Sequence, residues 1–259
     1  MPGVGSILRR VLSHPLTRGI DLDDPKTTAL RRQIIQSKPF LQRIYDQWYS
    51  TLRNDLPVGE GGILELGSGA GYFKDVVPET ITSEIFPCPG IDVVLNGLQL
   101  PLEDQSLRAI VMTDVFHHLP DVRQFMREAA RTIRSGGVIA MIEPWVSTWS
   151  KLIYRKLHHE PFRPDATSWD FPTTGPLSGA NGALPWIVFQ RDRAAFEREF
   201  PQWRIEMVEP LMPLRYLLSG GVSMRSLVPG FAFRPIGWIE RMMLPRAAMF
   251  AHIVLRKTA

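Results

Sequence analysis

Between Ile63 and Phe73 the chain reads Ile-Leu-Glu-Leu-Gly-Ser-Gly-Ala-Gly-Tyr-Phe. The apolar start predicts a buried strand, and the glycines predict a loop that opens a helix. Glycine permits positive φ and lets a ligand lie close to the backbone. The first N–H groups of the following helix lack intrahelical partners and face whatever sits there. Several kinds of nucleotide site share this device, so the details decide. Gly67, Gly69 and Gly71 follow G-x-G-x-G, whereas a dinucleotide site wants G-x-G-x-x-G with Gly or Ala where this chain has Tyr72. No lysine stands at P-loop spacing, which argues against a triphosphate cradle. Glu65 lies inside the strand, two residues before Gly67. A carboxylate there suits a ligand with a cationic amino-acid group better than one with pyrophosphate.

Such a loop needs a sheet edge to stand on. Short apolar runs predict strands at 62–66, 81–86, 91–95, 109–113 and 138–142, the last after the turn Ser135-Gly136-Gly137. Helical stretches are predicted from Tyr72 to Val77 and from Val122 to Ile133. This alternation predicts a parallel sheet covered on both faces. Upstream, residues 1–24 read as an arm and Asp24-Pro25 as a helix start. Leu30, Ile34, Leu41, Tyr45, Trp48 and Leu52 then recur at helical spacing, with a break or kink at Pro39. Residues 145–190 lose periodicity and read as an insertion. A helix at 191–200, a strand at 203–208, an irregular basic segment and a strand at 249–256 complete the chain.

Four motifs in order resemble the class I S-adenosylmethionine-dependent methyltransferases over residues 60–145, about a third of the chain. ILELGSGAG resembles that family's E/D-x-G-x-G-x-G. Glu84 is similar to its acid for the ribose hydroxyls, and one carboxylate can accept from both; Asp92 is a rival for this role and for the adenine contact that follows. Asn96-Gly97-Leu98-Gln99-Leu100-Pro101-Leu102 resembles D-A-x-x-L-P-F, whose first residue contacts the adenine amino group; Asn96 keeps an accepting carbonyl. The run from Ala109 through Thr113 to His117-His118-Leu119 resembles the fourth strand and its ending. Glu128 to Gly137 resembles E-x-x-R-v-L-k-P-G-G, with Ser135 for proline. The resemblance implies an α/β, Rossmann-like doubly wound sheet of seven strands, mostly parallel with an antiparallel last strand, plus an N-terminal helical cap and an insertion. It implies S-adenosyl-L-methionine as cofactor, held by Glu65, Gly67, Ser68, Gly69, Gly71, Glu84, Asn96, Gly97 and Thr113. The expected division is an arm and cap at 1–58, the cofactor-binding core at 59–144, a cover over the acceptor site at 145–200, and the last strands with the basic segment at 201–259.

In that family a methyl group moves in line from a sulfonium to a nucleophile. Proximity and alignment supply about 7–11 kcal/mol of barrier lowering in such reactions. An oxygen nucleophile also needs a base, and histidine is the best tuned at neutral pH. His117 and His118 follow the fourth predicted strand, at the edge where open α/β sheets bind ligands. The resemblance places His118 beside the acceptor; a histidine bonded for structure is the alternative. Leu157-His158-His159-Glu160 offers a second base, His159, with an orienting carboxylate. No third ligand stands at a suitable spacing, so no metal is assigned there. Asp114 and Glu143 end consecutive predicted strands, but nothing else supports magnesium between them. Thr113-Asp114-Val115-Phe116 replaces the N/D-P-P-Y/F of amino-methylating nucleobase enzymes, so a nucleic-acid substrate is not expected.

Composition bounds the rest. The chain has 259 residues, 44% hydrophobic, with a net charge of +4, which excludes a disordered chain. Its longest charge-free stretch, 171–190, is broken by prolines and glycines and does not suit a membrane span. The single Cys88 excludes a disulfide framework, and the N-terminal apolar run is too short for a signal peptide, so a cytoplasmic location is expected. From Arg215 onward seven Lys/Arg face one acid, Glu240. That suggests an anionic acceptor, peripheral contact with a membrane, or only a solvated face. The glycine-rich segments 171–190 and 217–223 are expected to cover the acceptor. The expected reaction is methyl transfer to a small, lipid-linked or saccharide acceptor at oxygen. A quinone or other lipid ring is the runner-up, and an inactive cofactor-binding module is the rival from another class.

Overall fold

The computed structural model describes residues 26–157, 160–172 and 179–258. The arm 1–24, its Asp24-Pro25 cap and the candidate His159 lie outside them. Seven strands form one sheet: β1 (Gly62–Glu65), β2 (Thr80–Glu84), β3 (Val93–Val94), β4 (Leu107–Thr113), β5 (Ile133–Pro144), β6 (Trp203–Leu211) and β7 (Phe250–Lys257). Their order is β3-β2-β1-β4-β5-β7-β6, with β7 antiparallel to both neighbours and the first five strands mutually parallel. The central strands are continuous apolar runs, Ile63-Leu64, Ala109 to Met112 and Val138 to Ile142, all buried. A strand covered on both faces requires that composition. Strand order reverses between β1 and β4, which opens a crevice at their carboxyl ends.

Two helices, α1 (Lys26–Ser37) and α2 (Pro39–Asn54), form the cap. The break falls at Lys38, and Pro39 enters the first turn of α2, where its missing N–H costs nothing. Phe40, Leu41, Ile44, Tyr45, Trp48, Tyr49 and Leu52 make a continuous buried stripe. Each large side chain in that stripe contributes about 1.5–3 kcal/mol by leaving water. The glycine loop leads into α3 (Phe73–Val76), a single turn halted ahead of Pro78. Helix α4 (Val122–Thr132) is N-capped by Asp121, whose carboxylate accepts the Gln124 N–H at 2.8 Å.

The predicted strand at 91–95 shrinks to two residues, because the Asp92 carboxylate takes the Thr82 N–H (2.9 Å) before pairing begins at Ser83 and Val93. The insertion is more regular than its sequence suggests. It contains α5 (Thr148–Leu157) and α6 (Leu184–Trp186), which runs on as a π-helical turn (Ile187–Arg191) before α7 (Arg193–Glu199). The buried side of α5 includes Ser150 and Tyr154, whose hydroxyls donate to the carbonyls of Trp145 (2.6 Å) and Met249 (2.9 Å). A buried stripe with two polar members does not read as amphipathic. The basic segment likewise holds α8 (Arg215–Ser219) and α9 (Phe233–Met243). Among the described residues no helix is long and apolar enough to cross a membrane.

Candidate active site

The crevice at the sheet's carboxyl edge is a cavity of about 500 Å³. One wall is the glycine loop. Ser68 pins it to β2: its N–H donates to the Ser83 carbonyl (2.8 Å), and its hydroxyl accepts the Ser83 N–H (3.1 Å). Gly67 turns at φ +67°, where a Cβ would stand 2.7 Å from the Val115 side chain. At Gly71 a Cβ would run into the Tyr49 hydroxyl, so the cap lies directly on the loop. Gly69, at φ +48°, faces the Glu84 carboxylate.

Two carboxyls open onto this wall. Glu65, at the end of β1, is buried and forms no salt bridge among the described residues. Burial pushes its carboxyl up to about 8, with Glu84 adding repulsion and the Ser68 hydrogen bond opposing the shift. Glu84, at the end of β2, is raised by burial and opposed by the Ile85 and Gly69 N–H groups. Asp92, the rival, does not reach the cavity. Lys74 binds it at 2.6 and 2.8 Å, and together with Thr82 holds its carboxyl down at about 2. Asn96 lines the cavity, and its carbonyl accepts the Leu98 N–H at 2.9 Å, leaving one lone pair for a ligand.

The opposite side begins where β4 ends. Asp114 takes φ +63° and is raised by burial to about 7. The turn after it aims the Val115 and Phe116 N–H groups at one oxygen of Glu143, at 2.8 and 2.7 Å. The other Glu143 oxygen holds His117 Nδ1 at 2.8 Å, and Glu160 stands 3.3 Å from His117 Nε2. Burial works against a charge on His117, but the two carboxylates outweigh it and hold the imidazole well above its ordinary value. His117 is thus a buried imidazolium with both N–H groups engaged. His118 differs. Burial, then the neighbouring His117 charge, pull it down to about 4, so it is neutral. Its Nδ1–H donates to the Gly179 carbonyl at 3.0 Å, which leaves the lone pair on Nε2, 3.8 Å from Glu160. His118 and Glu160 line the cavity; His117 does not.

Residues 64–141 match the family described as "Methyltransferase domain". Over these residues the chain is similar to S-adenosylmethionine-dependent methyltransferases. A protein from Mycolicibacterium smegmatis named as an S-adenosylmethionine-dependent methyltransferase is 31% identical over 102 residues, which cover 34% of this chain and 40% of that one. One from Mycobacterium tuberculosis H37Rv with the same designation matches equally well over 37% of its length. The match thus spans about two fifths of these curated relatives. The fold is shared with a chain from the complex of the Haloferax volcanii Trm112 methyltransferase activator, at a TM-score of 0.51 and 13% identity over 89% of this chain and 98% of that one.

All nine residues that the sequence assigns to the cofactor line the cavity. Of the proposed bases, His118 faces it, His117 is locked behind it as a charged strut, and His159 lies outside the described residues. Glu143 spends both oxygens on His117 and the turn. The sequence gives no sign of Arg31, Tyr154 and Tyr216, which come from distant elements to line the same space. Arg31 is the one Lys or Arg among the described lining residues. Only tertiary packing reveals these three, since none belongs to a local motif.

Proposed function

We propose that this chain binds S-adenosyl-L-methionine along the glycine loop and methylates an oxygen of an acceptor with an apolar, lipid-linked or ring-bearing body. The observation that carries the reading is Glu65, a buried carboxyl open to the cavity with no cation paired to it among the described residues. A ligand ammonium would fill that deficit, whereas a phosphate would worsen it. Gly69 leaves the loop backbone bare beside Glu84, which can accept from two ribose hydroxyls. Asn96 and Gly97 would face the base, and Arg31 offers a cation to an anionic group in the cavity.

When bound, the cofactor supplies a methyl group on a sulfonium, an electrophile that needs no further activation. The chain's own task is then to align the acceptor and take its proton. His118 Nε2 accepts the hydrogen bond of an acceptor hydroxyl, and the fixed Nδ1–H to Gly179 keeps that tautomer. His118 alone is a weak base, so the proton is shared with Glu160 beside it. The acceptor side also carries Ile153, Tyr154, Tyr216, Leu217 and Met249. This apolar wall favours a lipid or ring over a bare sugar.

The test is transfer of labelled methyl from S-adenosylmethionine into separated lipid, saccharide, protein and nucleic-acid fractions of a bacterial lysate, with Gly69→Val as control. Label is expected in the lipid fraction with the wild type only. Label in nucleic acid or protein would contradict the acceptor assignment.

A further inference from the structure

Residues 220–248 contain four arginines, Arg225, Arg234, Arg241 and Arg246, and all are exposed. Their one acid, Glu240, is buried and consumed by the Arg215 side chain and the Leu214 and Arg215 N–H groups. The same stretch exposes large apolar side chains: Phe231 at 82%, Met242 at 65%, Trp238 at 59% and Leu227 at 58%. Helical geometry puts Arg234, Trp238, Arg241 and Met242 on one face of α9, with Phe231 in the turn just before it. Aromatic and aliphatic groups among cations, with no exposed acid, are unfavourable against water.

We propose that this face docks the protein peripherally on an anionic lipid surface. Apolar side chains enter the headgroup boundary while arginines meet the lipid phosphates, the composition such a surface requires. Charge decides against a second copy of the chain, because pairing this face with itself would bring two sets of four arginines together. The face also adjoins the cavity: Leu227 donates its N–H to the Leu218 carbonyl at 2.9 Å, next to Leu217, which lines the cavity. Delivery of a lipid acceptor from the bound membrane is a corollary that rests on the proposed function; the docking does not.

The full chain is co-sedimented with vesicles of phosphatidylcholine alone and of phosphatidylcholine mixed equally with phosphatidylglycerol. Binding is expected on the mixed vesicles, at least about 10-fold tighter than on the neutral ones, and it weakens as salt is raised. Phe231→Ser with Trp238→Ser is expected to lose about 10-fold or more, and Arg234→Ser with Arg241→Ser to lose most of the salt dependence. Both pairs are exposed, and circular dichroism checks that each variant folds. Failure to pellet with mixed vesicles at low salt would overturn the proposal, as would pelleting unchanged by both variant pairs. A solution dimer dispersed by Phe231→Ser with Trp238→Ser would also overturn it, by assigning the face to a second copy.

Discussion

At the residue scale, the site turns on two neighbours that burial treats oppositely. His117 keeps its charge because Glu143 and Glu160 flank it, and His118 stays neutral because burial and His117 both oppose its protonation. His117→Gln leaves Glu143 buried without its cation and is expected to cost about 3–5 kcal/mol of stability, read by urea unfolding. His118→Gln is expected to unfold at nearly the wild-type denaturant concentration, yet to lose about 100-fold in kcat. Equal stability losses in the two variants would refute this division of labour. The sequence shows the pair but cannot rank its members, since the ranking comes from Glu143, 26 positions away, and from Gly179.

Glu65 adds a pH signature. Its carboxyl is raised from an ordinary 4.5 to about 8, so its ionisation subtracts stability from the unliganded fold as pH climbs through that window. A cationic ligand reverses the preference and drives the proton off. Affinity for S-adenosylmethionine should therefore rise from pH 6 toward about pH 8, and fall beyond it as the ligand's own ammonium loses its proton. Glu65→Gln should flatten the profile and weaken binding by roughly 10- to 100-fold, the worth of a charge-assisted hydrogen bond.

At the scale of elements, the cap and the loops meet on single atoms. Gly71→Ala should push against Tyr49 and cost about 1–3 kcal/mol together with most cofactor affinity. Adding Tyr49→Phe removes the hydroxyl and should restore part of both, a non-additivity above about 0.5 kcal/mol in a double-mutant cycle. Simple additivity would place the clash elsewhere. Lys38 makes a second junction: its buried ammonium, pulled down to about 8 by burial, donates to the Gly221 (2.6 Å) and Met224 (2.8 Å) carbonyls on the cavity rim. Lys38→Met should speed amide exchange at residues 217–224 while the exchange of β4 and β5 stays as it was. The break ahead of Pro39 is legible in the sequence, but the clasp is not, because its partners are backbone atoms 183 and 186 residues along the chain.

For the whole molecule, periodicity alone yields alternating strands and helices, and the motif resemblance supplies the seven strands and the antiparallel β7, while the strand order comes from the structure. The glycine loop, Glu84 and Asn96 are legible because each sits at a strand end inside a local motif. The insertion is the least legible part. Its helices bury polar members such as Ser150, and its aromatics Trp169, Phe189 and Phe196 serve packing. The far wall of the cavity, made by Arg31, Tyr154 and Tyr216, comes from three distant elements and has no local signature. In the proposed function, Glu65 makes this cavity a site for a cationic amino-acid ligand. Titration calorimetry of S-adenosylmethionine at pH 7, in two buffers of different ionisation enthalpy, tests it most directly. One site per chain is expected, with proton release on binding and loss of that release in Glu65→Gln. Absence of binding, or binding without proton release in the wild type, would contradict it.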